Sequence, residues 1–176
     1  PAGDIRVIQP PVGGAFGSKL DVYPFEPIAV YLAKKARRPV KLFFSREEEF
    51  IASPTRQPAR VYIKQGAKKD GTLTFRDVNV FLNNGGYTSW GATIPSVMMR
   101  TMTGHYRVPN VEFHSKAVYT NNPFAGSFRG YGNVQATYVT ATMMDKMAEE
   151  LGMNPIEFRL KNAQKPGERT PQDSFL

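Results

Sequence analysis

An α+β fold, with mixed or antiparallel strands, one long hairpin and packed helices, is what this sequence predicts. Three observations predict it. Period-two alternation runs on both sides of Asp70-Gly71. Helical spacing recurs in separate stretches between the strand-like ones. Cap residues stand where those helices would begin and end.

Each element follows in chain order. "IRVIQ" reads as a short strand entering a glycine-rich loop. "PFEPIAVYLAKKARRP" is helical, because Ile28, Tyr31, Leu32 and the stem of Lys35 fall at i, i+3, i+4 and i+7. Pro39 stops it. "VKLFF" reads as a second strand. Ser45 with Glu48 forms a capping box for a short helix over "REEEF". Its glutamates, Glu47 to Glu49, are favoured in a first helical turn. Val61 and Ile63 then alternate with Arg60, Tyr62 and Lys64. Asp70-Gly71 turns the chain, and the second arm runs through Leu73, Phe75, Val78 and Val80. "VEFHSKAVYTN" is a further strand. A long helix is expected from Asn133 to about Leu151, with Gly152 just past its end. Asn154, Pro155 and Glu157 suit the N-cap, N1 and N3 positions of a last helix. One domain is expected over residues 1–165, with an irregular tail over 166–176.

Composition narrows the function classes. The chain has 176 residues, 41% of them hydrophobic, which is enough for a folded domain with a core. No apolar run approaches the roughly 20 residues that span a bilayer. There is no cysteine, so this chain offers no thiolate for a metal or an Fe–S cluster. That is compatible with a cytoplasmic location. His105 and His114 have unrelated contexts and no evident third ligand, which argues against a zinc site. The net charge of +8 raises nucleic acid as a partner. Its densest cluster, Lys34, Lys35, Arg37 and Arg38, falls at a helix C-terminus, where cations are favoured anyway. No nucleic-acid motif accompanies it. Both ends of the chain read as those of an excised piece, or of one subunit of something larger.

Two loops carry the functional signal. "VGGAFGSK" places Gly13, Gly14, Ala15 and Gly17 around Phe16. Glycine lets a ligand approach the backbone, and successive N–H groups in such a turn can form an anion-binding nest. The loop is not a Walker motif, since Ser18 stands where Gly is required and Leu20 follows Lys19. It is not the dinucleotide pattern either, since Ala15 interrupts it. "NNPFAGSFRGYGNVQ" is the second loop, with Gly126, Gly130 and Gly132 around Phe128, Arg129 and Tyr131. A long helix follows at once, and its N-terminus favours negative charge. Arginine adds a planar pair of donors. Convergence of the two loops would form a site for a large anionic cofactor.

"GGAFGSK" resembles the GGGFGGK loop of the molybdopterin-binding large subunit of molybdenum hydroxylases, the xanthine dehydrogenase and aldehyde oxidase family. "SFRGYGNVQ" resembles that family's AFRGFGGPQ loop, and "DKMAEELGMNPIEFRLKNA" fits its tail. The resemblance covers nearly the whole chain. It implies a molybdenum–molybdopterin cofactor, with the dinucleotide form left open. It implies Fe–S clusters and FAD on partner domains or chains. It further implies oxidation of an aldehyde, N-heterocycle or aromatic substrate with oxygen derived from water. Gly13, Gly14, Ala15, Phe16 and Gly17 match the first cofactor loop; Ser127, Phe128, Arg129 and Gly130 match the second. The backbones of Phe16 and Arg129 match those nearest the molybdenum. Tyr131 matches an aromatic that packs on the substrate ring. Leu20 matches a position that is glutamate in purine-oxidising members, so the resemblance disfavours xanthine. The family's general-base glutamate has no match in this chain, which implies that the fragment alone is inactive. A non-catalytic assembly domain of the same fold is the alternative.

Overall fold

The computed structural model describes residues 2–171. Its framework is a three-stranded mixed sheet in the order β1-β2-β3, formed by β1 (Ala59–Ala67), β2 (Leu73–Gly85) and β3 (Asn110–Tyr119). β1 and β2 form the long antiparallel hairpin, from Ala59 opposite Leu82 to Ala67 opposite Leu73. The turn closes through Gly71 N–H donating to the Lys68 carbonyl at 2.9 Å, with Gly71 at φ +83°. β3 joins β2 in parallel, which a tight turn cannot achieve. Helix α3 (Ile94–Gly104) makes the crossover between them.

Alternation along β2 sets the core. Leu73, Arg76, Val78, Val80 and Leu82 are buried, while Phe75 and Phe81 face outward. Against Val78, Val80 and Leu82 pack Ile94, Met98 and Met102 of α3 and Ala136 of α4 (Asn133–Glu150). A second cluster joins Leu73, Val108, Met144 and Ala148 to Phe158 of α5 (Pro155–Asn162). Asn154 caps α5 by accepting from the Ile156 and Glu157 amides, as its sequence position predicts. Arg76 is a buried cation in this layer. It donates to Gln65 Oε1 at 2.5 Å and to the Met102 carbonyl, and lies 5.9 Å from the Tyr106 ring centre. Burial pushes its pKa down to about 10.

The N-terminal third is organised differently. α1 (Phe25–Ala36) and α2 (Arg46–Ala52) have no buried residue, although the Ser45–Glu48 capping box is formed. Tyr23 is the buried hydrophobic residue of this third, stacked on Phe25 at 5.3 Å. The two strands expected at residues 5–9 and 40–44 are absent. A strand needs a neighbouring backbone to satisfy its N–H and C=O groups. Among the described residues neither segment has such a neighbour, and Val7 is 90% exposed. α3 was not expected from the sequence. Of the expected tail, residues 166, 167 and 171 lie in turns and Arg169 in an isolated β-bridge, and 172–176 lie outside the described residues.

Candidate functional site

The two glycine loops, more than a hundred residues apart in sequence, meet in space. Arg129 N–H donates to the Phe16 carbonyl at 2.8 Å. The Arg129 guanidinium lies 5.4 Å from the Phe16 ring centre. Gly17 fits directly against Ser127: a Cβ there would fall 2.6 Å from the Ser127 carbonyl oxygen. Gly17 therefore has to be glycine both for its φ of +99° and for this approach.

Local sequence explains the first loop's shape. Ser18 N–H and Oγ both donate to the Ala15 carbonyl, closing a tight turn. Lys19 Nζ folds back onto the Gly14 carbonyl at 2.7 Å. Phe16 sits in that turn at φ +50°, and Tyr131 sits in the second loop at φ +44°. Bulky side chains rarely adopt this region, and such strain clusters at functional sites. Among the described residues, one further non-glycine residue with positive φ, Arg37, is the C-cap of α1. Phe16 is 64% exposed, so its ring projects from the turn toward Arg129 and solvent and is not a core anchor.

The second loop hangs on the end of the sheet. Ala125 N–H donates to the Asn84 carbonyl, and Gly126 N–H to the Thr55 carbonyl at 3.1 Å. Ser127 is buried; Phe128, Arg129 and Gly130 are exposed. Tyr131 is half-buried. Its ring meets Trp90 edge-on at 6.1 Å, and its hydroxyl pairs with Thr93 Oγ. Gly132 at φ +90° then starts α4. Leu20 leaves the first loop 59% exposed, beside Asp21, whose carboxylate accepts from Ser89 Oγ. Burial, with the Asp21 charge second, pushes the Tyr23 phenol above its usual pKa.

Every residue expected at the site thus belongs to, or directly leaves, this pair of loops. Arg56, Trp90 and Thr93, which the structure adds, were not singled out in sequence. Trp90 is the chain's single tryptophan and was open to notice; a lone arginine in "SPTRQP" carries no pattern. The cationic side chains at the loop pair are Arg129 and Lys19. Among the described residues no group of three His, Asp or Glu side chains could hold a metal. Such a set fits an anionic group that brings its metal with its own ligands.

Comparison with known proteins decides between the families that could use such loops. A model of the "Molybdopterin cofactor-binding domain" matches residues 1–163. The chain belongs to the molybdopterin cofactor-binding domain family. It is 40% identical over 179 residues to the nicotinate dehydrogenase large molybdopterin subunit of Eubacterium barkeri, covering 100% of this chain and 41% of that one. It is 40% identical over 168 residues to the xanthine dehydrogenase molybdenum-binding subunit of Escherichia coli O157:H7, covering 95% and 22%. The solved aldehyde oxidoreductase of Desulfovibrio gigas superposes with a TM-score of 0.84 at 32% identity, covering 93% and 18%. This molybdopterin-binding domain therefore spans between about a fifth and two-fifths of the length of these relatives.

Proposed function

We infer that the chain is the part of a molybdenum hydroxylase large subunit that carries two of its cofactor loops. The subunit would oxidise an aldehyde, N-heterocycle or aromatic substrate with oxygen from water, as an oxidoreductase of the cytoplasm. The observation that carries this reading is the Arg129–Phe16 bond, which locks two loops of the family's pattern into one surface. When bound, molybdopterin with its molybdenum supplies the two-electron and oxygen-transfer chemistry. In either its simple or its dinucleotide form it would lie against Gly13, Gly14, Ala15, Phe16 and Gly17, and against Ser127, Phe128, Arg129 and Gly130. The backbones of Phe16 and Arg129 would be the parts nearest the metal.

Tyr131 supplies a flat wall for an aromatic substrate, with its orientation fixed by Trp90 and Thr93. Leu20 supplies an apolar contact and cannot pair a polar edge of a substrate. The carboxylate that accepts the substrate proton belongs to polypeptide outside this chain, as do the Fe–S and flavin groups that take the electrons. The exposed apolar residues of the N-terminal third, among them Ile5, Val7, Ile8, Val30 and Phe43, suit a face covered by the rest of the subunit. Metal and pterin analysis of the purified full-length subunit tests the reading. A stoichiometric complement of both is expected; a folded full-length protein carrying neither would overturn it.

A further inference from the structure

We propose that Arg56 is the positioning residue that sets the second loop and, through it, the spacing of the loop pair. The proposal rests on the cofactor reading above and deepens it.

Arg56 lies between α2 and β1, remote in sequence from both loops, yet its backbone is placed at the base of the second. Thr55 and Ala125 form an isolated parallel bridge. Thr55 N–H donates to the Phe124 carbonyl at 3.3 Å, and Gly126 N–H returns to the Thr55 carbonyl at 3.1 Å. From this fixed point the guanidinium makes three contacts. Nη2 donates to the Arg129 carbonyl at 2.5 Å. Nη1 reaches Gln135 Oε1 at 3.4 Å. The guanidinium carbon stands 4.9 Å from the Phe128 ring centre.

Those contacts continue in both directions. Gln135, on the first turn of α4, donates from Nε2 to the Gln57 carbonyl at 2.9 Å, which ties it back to Arg56's own strand entry. Arg129, whose carbonyl Arg56 holds, donates its N–H to the Phe16 carbonyl. A direct chain of bonds thus runs from Gln57 through Gln135, Arg56 and Arg129 to Phe16. Two crossed arginine–aromatic pairs flank it, Arg56 on Phe128 and Arg129 on Phe16. A planar fork is required here. A lysine could hold the Arg129 carbonyl or reach Gln135, but it cannot do both while lying over a ring. Arg56 touches the loop rather than the reacting groups, so it acts on the cofactor only through the Phe128–Arg129 backbone.

The test uses the assembled full-length enzyme with Arg56→Lys, and with Gln135→Met as a second variant should the first fail to fold. The denaturation midpoint, the rate of cofactor loss on dilution, and kcat and KM per bound molybdenum are measured. Loss of an indirect positioning contact is expected to speed cofactor loss about tenfold. It should also lower kcat per molybdenum with KM nearly unchanged and the midpoint within a few degrees. A lower midpoint with wild-type retention and wild-type kcat per molybdenum would reduce Arg56 to a structural staple and overturn the proposal. So would wild-type behaviour in every measurement. Gly13→Val is run alongside. If it too retains the full cofactor, the loop reading itself has failed; if it loses the cofactor while Arg56→Lys keeps it, only the role of Arg56 has failed.

Discussion

Replacing Gly17 by alanine should separate the two loops. The added Cβ would lie 2.6 Å from the Ser127 carbonyl oxygen and 2.7 Å from its Oγ, whereas ordinary contact begins at 3.4 Å. The loops must therefore open by about 0.8 Å, the difference between 2.6 and 3.4 Å. Overpacking of this kind costs about 1–3 kcal/mol. Holding alanine at φ +99° adds a further ~1–3 kcal/mol. Opening by that distance also weakens the 2.8 Å Arg129–Phe16 bond, whose net worth is about 0.5–1.5 kcal/mol. No residue of the first loop is buried, so it can detach locally without unfolding the sheet. Global stability should accordingly fall by only about 1–3 kcal/mol of that cost, while the loop pair is lost as a unit. The assay is urea denaturation of the full-length subunit together with its molybdenum and pterin content. Gly3→Ala is the control, since a Cβ there meets nothing within 4 Å. A Gly17→Ala protein with native stability and full cofactor would refute the reasoning.

Other outcomes follow from the same structure. With Leu20 in place of a carboxylate, the complete enzyme should turn over xanthine or hypoxanthine poorly, because a site that cannot pair buried polar atoms discriminates against them. Efficient xanthine turnover by the purified holoenzyme would contradict this. Asn162 accepts from the Leu73 amide at 3.0 Å and donates to the Gly71 carbonyl at 2.8 Å, joining the hairpin to α5. Asn162→Ala orphans both buried groups and should cost roughly 2–6 kcal/mol in denaturant unfolding, at about 1–3 kcal/mol each. Arg159 hydrogen-bonds Asp145 at 2.7 Å and holds its carboxyl below the usual value of 3.8. A depressed folded pKa adds stability above the unfolded value and loses it as pH falls through the folded one. Asp145→Asn should therefore be less stable than wild type at neutral pH, with the gap closing as pH falls below 3.8 and through the lowered folded value. A pH-independent gap in thermal midpoints would argue against it.

The hairpin, α1, α2, α4 and α5 were legible because their signals are local. Ser45 with Glu48 and Asn154 with Pro155 are cap chemistry, and the Asp70-Gly71 turn dictates its own pairing. The parallel pairing of β3 was not legible, since it depends on α3 carrying the chain back across the sheet. α3 does carry a pattern, Ile94, Met98 and Met102 at four-residue spacing, but Pro95, Thr101 and Thr103 dilute its helical propensity. "IRVIQ" and "VKLFF" failed in the opposite sense. Their residues suit strands, but a strand is a property of two backbones, and the described residues supply one. At the candidate site, glycine content and the order of the two loops marked the pair of segments that meet. What sequence could not show was how they meet: Arg129 bonding to Phe16, Gly17 fitting against Ser127, and Arg56 bracing the second loop from a segment with no motif of its own.

The central claim is that a molybdenum–pterin group lies against the backbone of the first loop, and Gly13 tests it most directly. A Cβ at Gly13 meets no atom of this chain beyond its neighbours within 4 Å, and its φ is outside the left-handed region, so a β-carbon there is compatible with the fold of this chain. A ligand close to that backbone would oppose it, and a clash with the rest of the subunit would be told apart by a fall in stability of the cofactor-free protein. In the full-length subunit, Gly13→Val should keep the denaturation midpoint of cofactor-free wild type, since a bound cofactor itself raises the midpoint, and should lose molybdenum and pterin together, by about tenfold or more. A Gly13→Val protein of unchanged stability with a full complement of both would contradict the account.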